Sequence, residues 1–84
     1  MKKQEEMLVI TAEECGELIQ ACSKVIRSKG KTKCIRNLQD EIGDVMCMIE
    51  IIKLSGLVTD EQIADRIKEK KEKLMKWSLL FSED

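Results

Sequence analysis

Two pairs of acidic residues in this chain have the spacing that a metal site on helices requires. Glu14 and Glu17 are three residues apart, as are Glu41 and Asp44, so each pair lies on one helix face within a single turn. Four carboxylates gathered in a partly buried seam would repel one another unless a cation neutralised them. Oxygen ligands without histidine or thiolate suit Mg²⁺, with Mn²⁺ as a possible substitute. The chain has no histidine, which excludes the Glu-x-x-His motif of di-iron bundles.

The residues around these acids predict that they border a helical core. Ile10, Ala21 and Met48 lie one turn away from the acids on the same faces and are apolar. Gly16 and Gly43 each stand just before the second acid of a pair. A glycine inside a helix costs about 1 kcal/mol relative to alanine, so two at matching positions predict a close approach of the helices there. The alternative, which spacing alone leaves open, is that the acids form ordinary pairs at the edge of a solvated face.

Three helices would have to position these acids. Glycine-containing breaks near residues 28–33 and 55–60 predict helices at about 5–28, 34–55 and 60–80, with Thr59 or Asp60 capping the third. Within each segment apolar residues recur every three or four positions, which is typical of helices that pack on one another. We therefore predict an all-α fold, an antiparallel helical bundle of three main helices, as a single domain over residues 1–84.

The composition limits both the core and the partners of the chain. With 84 residues, 43% of them hydrophobic, and no proline, the chain is a short helical protein, which excludes β-sandwich, barrel and Rossmann folds. So short a chain has little core of its own, and we expect homo-oligomerisation to complete the bundle. The four cysteines fall within the helical patterns and are interpreted as reduced core residues (Cys15, Cys22, Cys34 and Cys47).

Charge and hydropathy narrow the expected location and ligands. A net charge of −1 offers no general attraction for nucleic acid or an anionic membrane, so neither is expected as a partner. The sequence has no apolar segment as long as a membrane span and no signal peptide, and a cytoplasmic location is therefore expected.

The two acidic blocks resemble the signature of a known enzyme family. Glu13-Glu14-x-x-Glu17, followed after 23 residues by Glu41-x-x-Asp44, is similar to the motif of the MazG-like all-α nucleoside triphosphate pyrophosphohydrolases. The resemblance extends over roughly residues 7–77 and is strongest to short, single-domain members of bacteriophage type. It implies Mg²⁺-dependent hydrolysis of a nucleoside triphosphate, with a dNTP favoured, between the α and β phosphates, giving the monophosphate and pyrophosphate. It also implies a homo-dimer or homo-tetramer.

The resemblance assigns roles to particular residues. It makes Glu14, Glu17, Glu41 and Asp44 the expected metal ligands, and Glu13 either a support for those ligands or the base that orients the attacking water. Candidate nucleotide contacts, chosen for their places on the helices, are Lys24, Asn37, Lys70, Lys73 and Trp77. Each has an ordinary alternative: a solvated lysine, a helix-start cap for the asparagine, or interface core for the tryptophan.

Two further alternatives stay open at this point. The basic segment from Arg27 to Lys33 could lie over a triphosphate or be a solvated loop. The whole chain could be a non-catalytic helical oligomerisation or regulatory module that keeps the bundle without the chemistry. The presence of all five motif acids favours the enzyme, because a binding module has no use for buried like charges.

Overall fold

The computed structural model describes residues 2–82 and contains no strand among them. Helix α1 runs over Lys3–Ser28, α2 over Thr32–Ser55 and α3 over Asp60–Trp77, followed by a short 3₁₀ helix over Leu79–Phe81. The three predicted helices are confirmed, with ends that agree to within three residues. The predicted third helix was too long because Ser78 is extended, at φ −122° and ψ 154°, and its side chain accepts a hydrogen bond from the backbone N–H of Leu80.

Local sequence explains where the helices begin and end. At the end of α1, Lys29 and Gly30 both have positive φ, and the backbone N–H of Gly30 donates to the carbonyl of Val25 at 3.0 Å. The start of α3 is a capping box. The Thr59 hydroxyl accepts from the backbone N–H of Gln62, and the Gln62 side chain accepts from that of Thr59, each at 3.1 Å. The expected cap at Thr59 is therefore confirmed.

Helices α1 and α2 form an antiparallel hairpin, and α3 extends from it. Met7 and Ile51 line one groove, and Lys24 and Cys34 line another. The start of α1 therefore lies beside the end of α2, and the end of α1 beside the start of α2. Within the described residues α3 packs appreciably only with the 3₁₀ helix that follows it, although Lys53 and Asp60 form an ion pair of 2.7 Å at its start. The expected packing of all three helices into one bundle is thus not seen within a single chain. Helix α3 buries none of its residues, and Lys70 interrupts its apolar stripe.

The side chains buried in the hairpin are few. Met7, Ala21 and Met48 are the buried hydrophobic residues of the described chain. The line of residues that contains the acids faces the other helix. The neighbouring line of regularly spaced apolar residues lies in large part on the exposed surface of the hairpin, as Leu8, Cys15 and Cys22 do on α1. The prediction of core cysteines is wrong for this reason: Cys15, Cys22 and Cys47 are exposed and Cys34 is half-buried, although all are free as expected.

One side of the hairpin carries an exposed apolar surface, here called the apolar flank. Each of its members lies within about 20° of the direction opposite Glu17 or Asp44 on the helical wheel. These side chains are 42% to 77% exposed, and they are Leu8, Ile19 and Ile26 on α1 and Ile35, Ile42 and Met46 on α2. The hairpin therefore has an acidic side and an apolar side. None of the described helices combines the length and apolarity that crossing a lipid bilayer would take.

Candidate metal centre

The hairpin brings the four predicted ligands together. Antiparallel pairing places the Glu14–Glu17 turn of α1 beside the Glu41–Asp44 turn of α2. One carboxylate oxygen from each of these residues lies within 4.8 Å of the corresponding oxygens of the others. The cluster forms only because the two acidic turns lie at the same height along the hairpin. The short connection between Ser28 and Thr32 fixes this alignment of α1 and α2.

The two halves of the cluster differ in exposure. Glu14 and Glu41 are half-buried, and the Oε2 atom of each is out of contact with water and has no hydrogen-bond partner. Glu17 and Asp44 are exposed. The ion pairs of residues 2–82 involve other acids, so no lysine or arginine neutralises the cluster. A buried carboxylate oxygen without a partner is unfavourable, and a divalent cation held by all four acids would remove that penalty. The residues present therefore fit a hard metal ion.

The electrostatics of the cluster agree with this fit. Burial raises the pKa of Glu14, and the neighbouring carboxylates of Glu17 and Asp44 raise it further. Burial likewise raises the pKa of Glu41, with Glu17 as the next contributor. Both shifts favour the protonated form, which is what like charges without a counter-ion produce. A bound cation acts in the opposite direction and would hold these carboxylates ionised.

The expectation that Gly16 and Gly43 mark a close approach of the helices is wrong. A Cβ added at either glycine would meet nothing within 4 Å. Each glycine follows the first acid of its pair by two residues, which places it about 160° around the helix from that acid. Both glycines therefore face away from the partner helix.

The other predicted residues divide into two groups. Glu13 is exposed on α1, and its charge contributes to the raised pKa of Glu14, so it lies beside the cluster without belonging to it. Lys24 and Asn37 line one groove of about 470 Å³ at the loop end of the hairpin. By contrast, α3 carries Lys70, Lys73 and Trp77 on its exposed surface, and the structure does not bring these three to the acids.

Two lysines of the basic segment from Arg27 to Lys33 line the groove together with Lys24 and Asn37. Lys31 lies in the connection between the helices and Lys33 in the first turn of α2; from the sequence, this segment could lie over a triphosphate or be a solvated loop. The signal that could have found Lys33 is its distance from Asp44. Eleven residues make slightly more than three helical turns, which puts both side chains on one face.

Removing one charge from the acidic cluster is expected to stabilise the metal-free protein. Without divalent ions, Glu41→Gln should unfold at a higher denaturant concentration than the wild type at neutral pH, because the amide replaces an unneutralised carboxylate. Since the pKa of Glu41 is raised in the folded state, that state binds more protons than the unfolded chain just above the ordinary glutamate value. Wild-type stability should therefore rise, relative to Glu41→Gln, as the pH falls from neutral through that range.

The measurement is urea unfolding in EDTA at several pH values. The matched control is Glu50→Gln, which changes an exposed acid of the same helix outside the cluster. If Glu41→Gln and Glu50→Gln had the same stability and the same pH dependence, Glu41 would not be an unneutralised charge in the folded protein.

Comparison with known proteins agrees with the acidic motif. A family model described as the MazG nucleotide pyrophosphohydrolase domain matches residues 2–78, a span that includes both acidic turns. No curated protein and no solved structure gives a significant match. The resemblance seen in the sequence is confirmed: this chain belongs to the MazG nucleotide pyrophosphohydrolase family.

Proposed function

We propose that this chain is an enzyme that hydrolyses a nucleoside triphosphate between the α and β phosphates, giving the monophosphate and pyrophosphate. The observation that carries the proposal is the cluster of four carboxylates within 4.8 Å, two of which have a buried oxygen without a partner. The family to which the chain belongs supports the same reaction class. We further propose Mg²⁺ as the metal, with Mn²⁺ able to substitute, and a deoxynucleotide as the preferred substrate.

The proposed roles follow the exposure of each acid. Glu14 and Glu41 are held half-buried between the helices and would fix the ion, while the exposed Glu17 and Asp44 would face the substrate. When bound, Mg²⁺ would neutralise charge that develops on the phosphate oxygens. Glu13 lies at the exposed edge of the cluster, where its carboxylate could orient a water molecule and accept its proton as the oxygen attacks phosphorus.

The proposal includes a homo-dimer or homo-tetramer. The apolar flank, the unpacked α3 and the 3₁₀ helix leave large hydrophobic side chains exposed in a single chain, with Trp77 of α3 at 85% and Leu79 of the 3₁₀ helix at 86%. Burying them against a second copy would supply the core that one hairpin lacks. In such an assembly α3 could carry Lys70, Lys73 and Trp77 to the nucleotide of a neighbouring chain. We propose a cytoplasmic protein without a nucleic-acid or membrane partner, in line with its net charge of −1.

Turnover of a panel of nucleotides tests this function. The common ribonucleoside and deoxyribonucleoside triphosphates would each be incubated with the intact protein and Mg²⁺, then with Mn²⁺, then with EDTA. We expect metal-dependent consumption of at least one nucleotide, faster for the deoxy form. If no nucleotide were consumed with either metal by a protein of normal fold and size, a non-catalytic helical module would be the better account.

Magnesium is also expected to stabilise the fold directly. An ion that binds only the folded state at a hundred times its Kd adds about 2.7 kcal/mol to the free energy of unfolding. For a domain of this size such a change raises Tm by roughly 10 °C or more. Thermal unfolding of the wild type and of Asp44→Asn should be compared with and without Mg²⁺ at constant ionic strength. An equal rise in both proteins would show that the ion acts elsewhere.

A further inference from the structure

The side of the hairpin that carries the acids continues beyond them in both directions. Toward the loop lies a groove of about 470 Å³, here called the loop groove, which is lined by Lys24, Ser28, Lys31, Lys33, Cys34 and Asn37. Toward the other end lies a groove of about 270 Å³, here called the apolar groove, which is lined by Lys3, Glu6, Met7, Ile10, Met48 and Ile51. The acidic cluster lies between a basic groove and a largely apolar one.

Helical register places all three regions on one face. Lys24 follows Glu17 by seven residues, and Asn37 precedes Asp44 by seven, so each is two turns from an acid on the same side of its helix. In the opposite direction, Met7 precedes Glu14 by seven residues and Ile51 follows Asp44 by seven. Each groove is therefore centred about 10 Å from the acids along the hairpin.

The charges of the loop groove form no ion pair with any residue from 2 to 82. Among residues 2–82 the ion pairs join Lys53 to Asp60 and Arg66 to Glu69, which leaves Lys24, Lys31 and Lys33 without one. The acids beside them also lack a cation partner. Positive and negative groups thus lie next to each other on one face without pairing, an arrangement that suits a ligand with a metal-bound centre and an anionic end.

The apolar groove has the opposite character. Met7 and Met48 are 8% exposed, and Ile10 is half-buried beside them. Because four of its six lining side chains are apolar, this groove suits a base or a sugar better than a phosphate. The two ends of the face therefore select different ends of a nucleotide.

We propose that a nucleoside triphosphate lies along the hairpin with its terminal phosphates in the loop groove and its nucleoside over the apolar groove. This inference rests on the proposed function and adds the direction of the substrate. The reacting phosphorus then lies at the acids, and the terminal phosphate lies about one helical turn, roughly 5 Å, closer to the loop, at the edge of the loop groove nearest the acids. There the side-chain amide of Asn37 donates to a phosphate oxygen, and Lys24 and Lys33 neutralise the pyrophosphate that leaves.

The direction also explains how the site would recognise a triphosphate. A nucleoside monophosphate placed in this way reaches the acids and leaves the three lysines without a partner. Each phosphate added beyond the reacting one extends into the loop groove. The lysines should therefore govern the affinity for the phosphate chain and leave the choice of base unchanged.

Calorimetric binding of inorganic tripolyphosphate in the presence of Mg²⁺ tests the direction without involving any base. The test variant is Lys24→Gln/Lys33→Gln, and the matched control is Lys29→Gln/Lys68→Gln, which removes the same charge outside both grooves. We expect the test variant to bind tripolyphosphate at least about tenfold more weakly than the wild type and the control to stay within about twofold. Binding of Mg²⁺ alone should be the same in all three proteins.

A second readout separates this inference from the proposed function. In turnover, the test variant should have a raised KM for each accepted nucleotide, with the order of preference among bases unchanged. Equal tripolyphosphate affinity in the test and control variants, or no binding by the wild type, would overturn the direction proposed here. Failure of the wild type to consume any nucleotide would instead remove the proposed function, whatever the tripolyphosphate result.

Discussion

Glu17→Gln and Asp44→Asn are each expected to lower turnover by at least about 10³-fold while the helices remain folded. Both side chains are the exposed half of the acidic cluster, where a metal ion would meet the phosphates. The substitutions keep the size of the side chain and remove one negative charge, so they weaken metal binding without opening a cavity. Because the lost charge is one of four that repel one another, the metal-free variants should be no less stable than the wild type.

Three measurements on each variant are needed: nucleotide consumption with Mg²⁺, helical content and oligomeric size. The control is Glu50→Gln, an exposed acid on α2 outside the cluster, which should retain turnover within about twofold. Near wild-type turnover in both cluster variants would contradict a catalytic metal at this place. Loss of folding with loss of activity would instead mean that the acids are structural.

Ile42→Lys is expected to disrupt the assembly and, with it, much of the stability. Ile42 lies on the apolar flank, on the side of the hairpin opposite Asp44, and is 42% exposed in a single chain. If a second copy covers this surface, a lysine there would have to lose its hydration in an apolar interface, at a cost of several kcal/mol. The wild type should be an oligomer whose Tm rises with protein concentration, and Ile42→Lys should be monomeric or unfolded at micromolar concentration.

Val9→Lys is the matched control for this experiment. Val9 is 44% exposed, but it points away from both α2 and the apolar flank, about 100° around α1 from Leu8. Its replacement should leave the mass and the Tm close to those of the wild type. Mass by light scattering and unfolding at two protein concentrations would decide the matter. Equal behaviour of the two lysine variants would mean that the apolar flank is not an interface.

The acidic site was the most predictable part of this molecule. That Glu14 and Glu17 share a face follows from helical geometry alone, and so does the pairing of Glu41 with Asp44. The meeting of the two pairs follows from a connection between the helices too short to allow any other register. The difference in exposure between Glu14 and Glu17 could not be predicted, because it depends on the orientation of α1 against α2.

The direction in which each helix faces was harder to predict than the helix itself. Several members of the regular apolar stripe, Leu8, Cys15 and Cys22 among them, lie on the outside of the hairpin, while the line that contains the acids faces α2. In a short chain some apolar positions belong to surfaces that one copy does not bury, and periodicity alone does not distinguish them from core. The same limit applies to α3. Its apolar spacing predicts a helix clearly, but that spacing does not identify the surface against which the helix packs.

The acidic cluster is proposed to support cleavage between the α and β phosphates. The most direct measurement is phosphorus NMR of the products formed by the wild type with Mg²⁺ and the nucleotide that it consumes fastest. We predict one nucleoside monophosphate and one pyrophosphate for each triphosphate lost, and neither product with Asp44→Asn. Orthophosphate with a nucleoside diphosphate would contradict the bond assignment, and pyrophosphate released undiminished by Asp44→Asn would contradict the site.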